Sequence, residues 1–169
     1  MRLLTCTLLL AIAAVAQQPP NVDAQRDAMK KLQFLVGKWS GEADVTRGPG
    51  DLLKLTQTEN VQYKLDGLVM LVEGEGRNAD GNRVYSALAT IAFDDAAGVY
   101  HFRAYNSGRY LDTELTVTAD GFSWGFTPGP VKINNTMKLS DKGEWVEATD
   151  VTMGSQPPRH TMQMTLKKQ

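Results

Sequence analysis

Few side chains of this 169-residue chain are equipped for chemistry: it has one cysteine, Cys6, and two histidines, His101 and His160. Two imidazoles without thiolates cannot complete a protein-only zinc site, and no serine sits in a nucleophile elbow. No metal site and no catalytic residue is therefore assigned. The candidates are instead polar side chains on otherwise apolar strand faces. Gln57 and Glu59 share a period-two face with Leu55, Val61 and Tyr63, while Arg103 and Tyr105 alternate along one face of a later run. An inward Arg103 needs a carboxylate, because an unpaired buried charge is very costly, and Glu59 is the candidate partner. Two outcomes stay open for them: a structural pair or outward side chains, or a polar anchor for a ligand carboxylate or carbonyl. In the second case Tyr63, Tyr105, Met162 and Met164 supply the apolar walls. Glu59, Tyr105 and Arg103 are also the acid–base and anchoring groups on which an enzyme for a lipophilic substrate would depend. Paired carboxylates are not evident. His160 shares a period-two face with Met162, Met164 and Leu166, and an imidazole above methionines at a barrel mouth is suited to ligate haem iron.

Two motifs dissolve on inspection. Gly74-Glu75-Gly76-Arg77-Asn78-Ala79 spells the G-x-G-x-x-A dinucleotide fingerprint, but that chemistry needs a strand-to-helix turn, and here the motif runs along a strand into a hairpin. Glycine in the strand is expected to allow a bend at a barrel corner. Asn134-Asn135-Thr136 is a glycosylation sequon, meaningful only in a host that glycosylates exported chains.

The elements that must position these residues follow from periodicity. Met1-Arg2, the apolar run Leu3 to Ala13 and the A-x-A site Ala14-Val15-Ala16 read as a cleaved secretory signal over residues 1–16, placing the product in the periplasm or outside the cell. Cutting there removes Cys6, the one cysteine, and with it disulfides and thiolate chemistry. Residues 17–33 form an N-terminal extension in which Asp23 caps a short amphipathic helix running to about Leu35. From Trp39 onward the period is two, and the β-barrel domain takes residues 34–169. About ten alternating runs are joined by short turns such as Asp66-Gly67, Asp80-Gly81, Ser107-Gly108 and Asp120-Gly121. A β-sandwich is the rival, but it usually needs long Greek-key connections. The expectation is an all-β, antiparallel up-and-down barrel of about ten strands, which leaves no exposed edges and has room inside for a small ligand. In the fifth run Val99, His101, Arg103 and Tyr105 oppose Tyr100, Phe102, Ala104 and Asn106; both faces are partly apolar, so neither is assigned inward. With 18 Lys+Arg against 19 Asp+Glu there is no electrostatic footprint for nucleic acid, and no segment reads as an integral membrane span.

The stretch Phe34-Leu35-Val36-Gly37-Lys38-Trp39-Ser40-Gly41-Glu42 resembles the G-x-W opening of the calycin barrels. Further stretches resemble an uncharacterised family of exported bacterial lipocalin-like domains: Lys64-Leu65-Asp66-Gly67 with Glu73-Gly74-Glu75-Gly76, Tyr100 to Tyr105, Gly121 to Phe126, and Met164 to Lys168. The resemblance implies a calycin-type (lipocalin-like) barrel with a lipophilic pocket. It also implies that Trp39 packs at the closed end under a basic side chain of the last strand, for which Lys168 is the match. More distantly the chain resembles nitrobindins, whose haem is held by a last-strand histidine; there His160 would be the axial ligand, although no second stretch matches their pocket. Three expectations result: a non-catalytic carrier or sensor of a small apolar or amphiphilic molecule, a haem protein using His160, or an enzyme on a lipophilic substrate.

Overall fold

The computed structural model describes residues 19–169. The expected signal over 1–16 lies outside the described residues. Helix α1 (Val22–Lys30) and a 3₁₀ turn (Gln33–Leu35) precede ten strands: β1 (Gly37–Gly48), β2 (Asp51–Lys64), β3 (Val69–Arg77), β4 (Arg83–Asp94), β5 (Val99–Asn106), β6 (Arg109–Val117), β7 (Gly121–Phe126), β8 (Val131–Leu139), β9 (Trp145–Met153) and β10 (Arg159–Lys168). Each strand pairs antiparallel with its sequence neighbours, and β1 closes on β10, with Trp39 opposite Lys168 and Val45 opposite Met162. Closure satisfies every ladder and leaves no edge open to another chain. The hairpin chemistry is visible at Ser107-Gly108, where φ of 51° and 77° gives the two left-handed residues of a tight turn whose twist suits the flanking strands.

One end of the barrel is closed by the N-terminal segment. Helix α1 is capped by Asn21, whose side chain accepts from the Ala24 amide at 3.0 Å, rather than by Asp23, which sits in the first turn. The helix also stops at Lys30 instead of running to Leu35. Tightening to three residues per turn lets Leu32 and Leu35, both fully buried, point the same way into the barrel end. Two tyrosine hydroxyls bind the C-terminal carbonyls of α1: Tyr63 donates to Met29 at 2.6 Å and Tyr100 to Ala28 at 2.7 Å. In the β4–β5 turn, Asp95 accepts from the Asn21 amide and from the Gln25 side chain.

Trp39 lies at this closed end. Its indole N–H donates to the Leu35 carbonyl at 2.7 Å, its ring meets Trp145 edge-on at 5.7 Å, and the Lys168 ammonium sits 5.2 Å from its centroid. This is the packing that the G-x-W resemblance implies. No helix among the described residues is long and apolar enough to cross a membrane.

Candidate functional site: the barrel cavity

The inward face of each strand is set by the pleat, and its composition decides whether the barrel is full. Near the closed end the inward residues are large: Val61, Met70, Ile91, Leu115, Phe122, Met137, Trp145 and Leu166 are all buried. Farther up the wall they become small, with Ala43, Gly74, Ala87, Ala89 and Ala104 facing inward. Ten strands enclose more volume than such side chains fill. The result is a cavity of about 1100 Å³, floored by Leu35, Phe122 and Trp145 and reaching Asn106, Ser107, Arg109 and Pro128 at the turns opposite α1. One wall is aromatic: Phe102 stacks on Trp124 at 4.8 Å, and Trp124 on Phe126 at 6.1 Å.

Deep in this cavity is a polar cluster. Glu59 and Gln57 are buried on β2, and the Gln57 amide donates to Glu59 Oε1 at 2.7 Å. Their place is made by β3, whose Gly74 and Gly76 lie opposite them. A Cβ at Gly74 would stand 2.7 Å from Glu59 Oε1, and one at Gly76 would stand 2.7 Å from Gln57 Oε1. Those two glycines, expected to bend the strand, serve to leave room for the carboxyl and the amide. Glu147, on β9, is the second cavity carboxyl, and its Oε2 accepts from the Trp145 indole at 2.9 Å. Burial pushes Glu59 from 4.5 up to about 8, the Gln57 bond opposing and the charge of Glu147 adding. Burial likewise pushes Glu147 from 4.5 up to about 7 against its indole bond. Tyr85, on β4, is pushed up to about 12, first by burial and then by the charges of Glu59 and Glu147. Neither carboxyl is in an ion pair among the described residues. Asn135, on β8, is buried with its Oδ1 accepting from the Thr149 hydroxyl at 2.6 Å, while its Nδ2 has no partner among the described residues.

Of the candidates read from sequence, Glu59, Met162 and Met164 line the cavity. Tyr63 does not; it points below the floor to bind α1. Arg103 and Tyr105 stand on the outside of β5, because Tyr100, Phe102, Ala104 and Asn106 take the inward positions. Arg103 is exposed and pairs with Asp112 across the β5–β6 ladder, not with Glu59. Tyr105 packs its ring 6.4 Å from that of Tyr110.

His160 is also corrected. The register of β10 against β9 shifts between His160 and Met162, so an extra residue, Thr161, separates the histidine from the methionine face. His160 lies outside, with Nδ1 3.0 Å from Asp150 Oδ1. His101, the other histidine, is exposed near Asp94. The cavity therefore has no imidazole, and its residues do not fit a haem ligated through His160. No group of three or more His, Cys, Asp or Glu among the described residues is placed to hold a metal ion.

Sequence reasoning missed Glu147, Tyr85 and Asn135. The signal for Glu147 was its period-two phase with Trp145, but β9 alternates weakly, with Val146, Ala148 and Val151 spread over both faces.

No protein-family model and no curated protein sequence matches the chain. Among solved structures it is similar to the crystal structure of Rv2717c from M. tuberculosis, with a TM-score of 0.63 and 15% identity over 84% of this chain and 97% of that one. At that identity the likeness shows a shared fold. The class defined is thus a closed, ten-strand antiparallel barrel, consistent with a calycin-like fold.

Proposed function

We propose that the protein is an exported, non-catalytic barrel that holds a small hydrophobic or amphiphilic molecule in its cavity. The observation that carries this is the cavity itself: about 1100 Å³, aromatic and aliphatic along its walls, with the Glu59 and Glu147 carboxyls at depth and polar side chains again at the turns where it opens. Ligand sites of this kind draw most of their affinity from apolar burial, at about 25 cal/mol per Å², and use a few polar groups to orient the ligand. Export is supported by the apolar run Leu3 to Ala13 followed by Ala14-Val15-Ala16.

The test is titration with a neutral apolar dye such as Nile red. Micromolar binding with a blue-shifted emission is expected. Ala104→Trp, which places an indole in the cavity, should weaken it about tenfold or more while the protein still melts cooperatively. Failure of every neutral apolar probe to bind would sink the reading. The presence of two carboxyls, Glu59 and Glu147, in the lining of one cavity favours one second reading, an acid–base enzyme on a lipophilic substrate. It requires turnover of amphiphilic esters or glycosides that Glu59→Gln abolishes.

A further inference from the structure

An inward arginine would have suited the cavity to an acidic head group. With Arg103 outside and two carboxyl groups within, the sense of the site is reversed. Glu59 and Glu147 come from opposite sides of the β1–β10 seam, each with one neutral hydrogen-bond donor and no cation among the described residues. The other ionisable groups lining the cavity are Tyr85 from β4 and, near the mouth, Arg109 and Tyr110 from β6. Arg109 and Tyr110 are exposed and hydrated, so their influence is screened, whereas the deep carboxyls act through a medium of low dielectric.

A second observation points independently to a ligand. Asn135 is only 5% exposed, lines the cavity, and has an Nδ2 without an acceptor among the described residues. A buried donor left unmade is costly, and an oxygen arriving with a ligand would relieve it. Asn135 faces Thr149 across the β8–β9 ladder, two residues along from Glu147 on the same inward face, so donor and carboxyl are diagonal neighbours. The aromatic wall of Phe102, Trp124 and Phe126 accepts both an apolar body and, through its ring faces, positive charge.

We propose that the occupant is an amphiphilic amine: a protonated nitrogen held by Glu59 and Glu147, a neighbouring hydroxyl or carbonyl oxygen taking the Asn135 N–H, and an alkyl or aromatic body along the Phe102–Trp124–Phe126 wall. This rests on the reading of the cavity as a ligand site and names its ligand class. Binding a cation favours the ionised carboxyls, so uptake releases protons, and affinity rises as pH climbs through the range in which Glu59 and Glu147 titrate. An alkylamine keeps its proton throughout that range.

The experiment is calorimetric titration of the purified protein with octylamine, octan-1-ol, octanoate and 1-amino-2-octanol. At pH 8 octylamine should bind about tenfold or more tighter than octanol, and octanoate weaker than either; at pH 5 the advantage of the amine should fall below about threefold. The amino alcohol should exceed the plain amine by about threefold, and Asn135→Ala should erase that difference. Glu147→Gln should cut the amine-over-octanol preference at pH 8 by about threefold or more, and the double variant Glu59→Gln/Glu147→Gln, still melting cooperatively, should abolish it. Octanol matching the amine at pH 8, octanoate binding best, or an amino alcohol no tighter than the amine would each overturn the proposal while leaving a ligand cavity in place. No binding by octanol or any other member of the series would remove the ligand reading itself.

Discussion

Replacing Glu59 by glutamine tests the electrostatics of the cavity through folding stability alone. In the wild type the carboxyl titrates near 4.5 when unfolded and at about 8 when folded. The native state therefore favours the neutral acid. Stability is undiminished below pH 4.5 and is lost as pH rises towards 8, the opposite of a carboxylate in a salt bridge. At about 1.4 kcal/mol per pH unit, wild type should lose roughly 3 kcal/mol between pH 5 and pH 7.5 that a group without a proton to lose cannot lose. The substituted glutamine can still accept from the Gln57 amide, as Glu59 does, and its own N–H groups add only an offset that does not depend on pH. The readout is accordingly the change in the wild-type-minus-variant difference, measured by urea unfolding at several pH values. The variant should gain on wild type steadily above pH 5. Parallel stability profiles from pH 5 to 8 would show that Glu59 ionises as freely in the fold as outside it, and the buried-carboxyl account would be refuted.

Other perturbations read separate parts of the structure. Trp39→Ala removes the indole that bridges Leu35, Trp145 and Lys168, and should cost about 3–5 kcal/mol in thermal or urea unfolding. Gly74→Ala puts its Cβ against the end of the Glu59 side chain, which must swing aside, so the usual strand gain over glycine, about 0.5–1 kcal/mol, should be lost and should reappear when Gly74→Ala is combined with Glu59→Ala. Arg103→Met should leave the affinities of carboxylate and neutral ligands alike unchanged, since the side chain lies on the outer wall beside Asp112. His160→Ala should leave the visible spectrum of protein mixed with haem unaltered; loss of a histidine-type spectrum would restore the haem reading.

The barrel was legible because its strands carry their own punctuation. Alternation from Trp39 onward, with Asp66-Gly67, Ser107-Gly108 and Asp120-Gly121 between runs, specifies consecutive hairpins, and ten strands in series need closure. Glu59 was legible as well, since Leu55, Val61 and Tyr63 fix the phase of β2. The rest of the site was hidden by three local effects. In β5 both faces carry aromatics, so the inward choice of Phe102 over Arg103 depends on partners in β4 and β7 that no local pattern reveals. In β10 one extra residue at Thr161 turns His160 out of the phase of Met162 and Met164, and a bulge leaves no mark in composition. Asn135 and Glu147 are diagonal neighbours already in the β8–β9 hairpin, but only barrel closure brings them around a common interior with Glu59 of β2 and Tyr85 of β4.

The barrel interior is a cavity open to a ligand rather than a packed core. Methionine methyl NMR tests it most directly, because the chain places reporters on both sides of the wall. Met162 and Met164 line the cavity, whereas Met153 is exposed at the end of β9. Titration with an apolar amphiphile should give saturable shifts of the Met162 and Met164 methyl resonances, with contacts from both methyls to the ligand chain and Met153 unmoved. Shifts confined to Met153, or no shift at any methyl while the ligand binds, would place the binding surface outside the barrel and contradict the account.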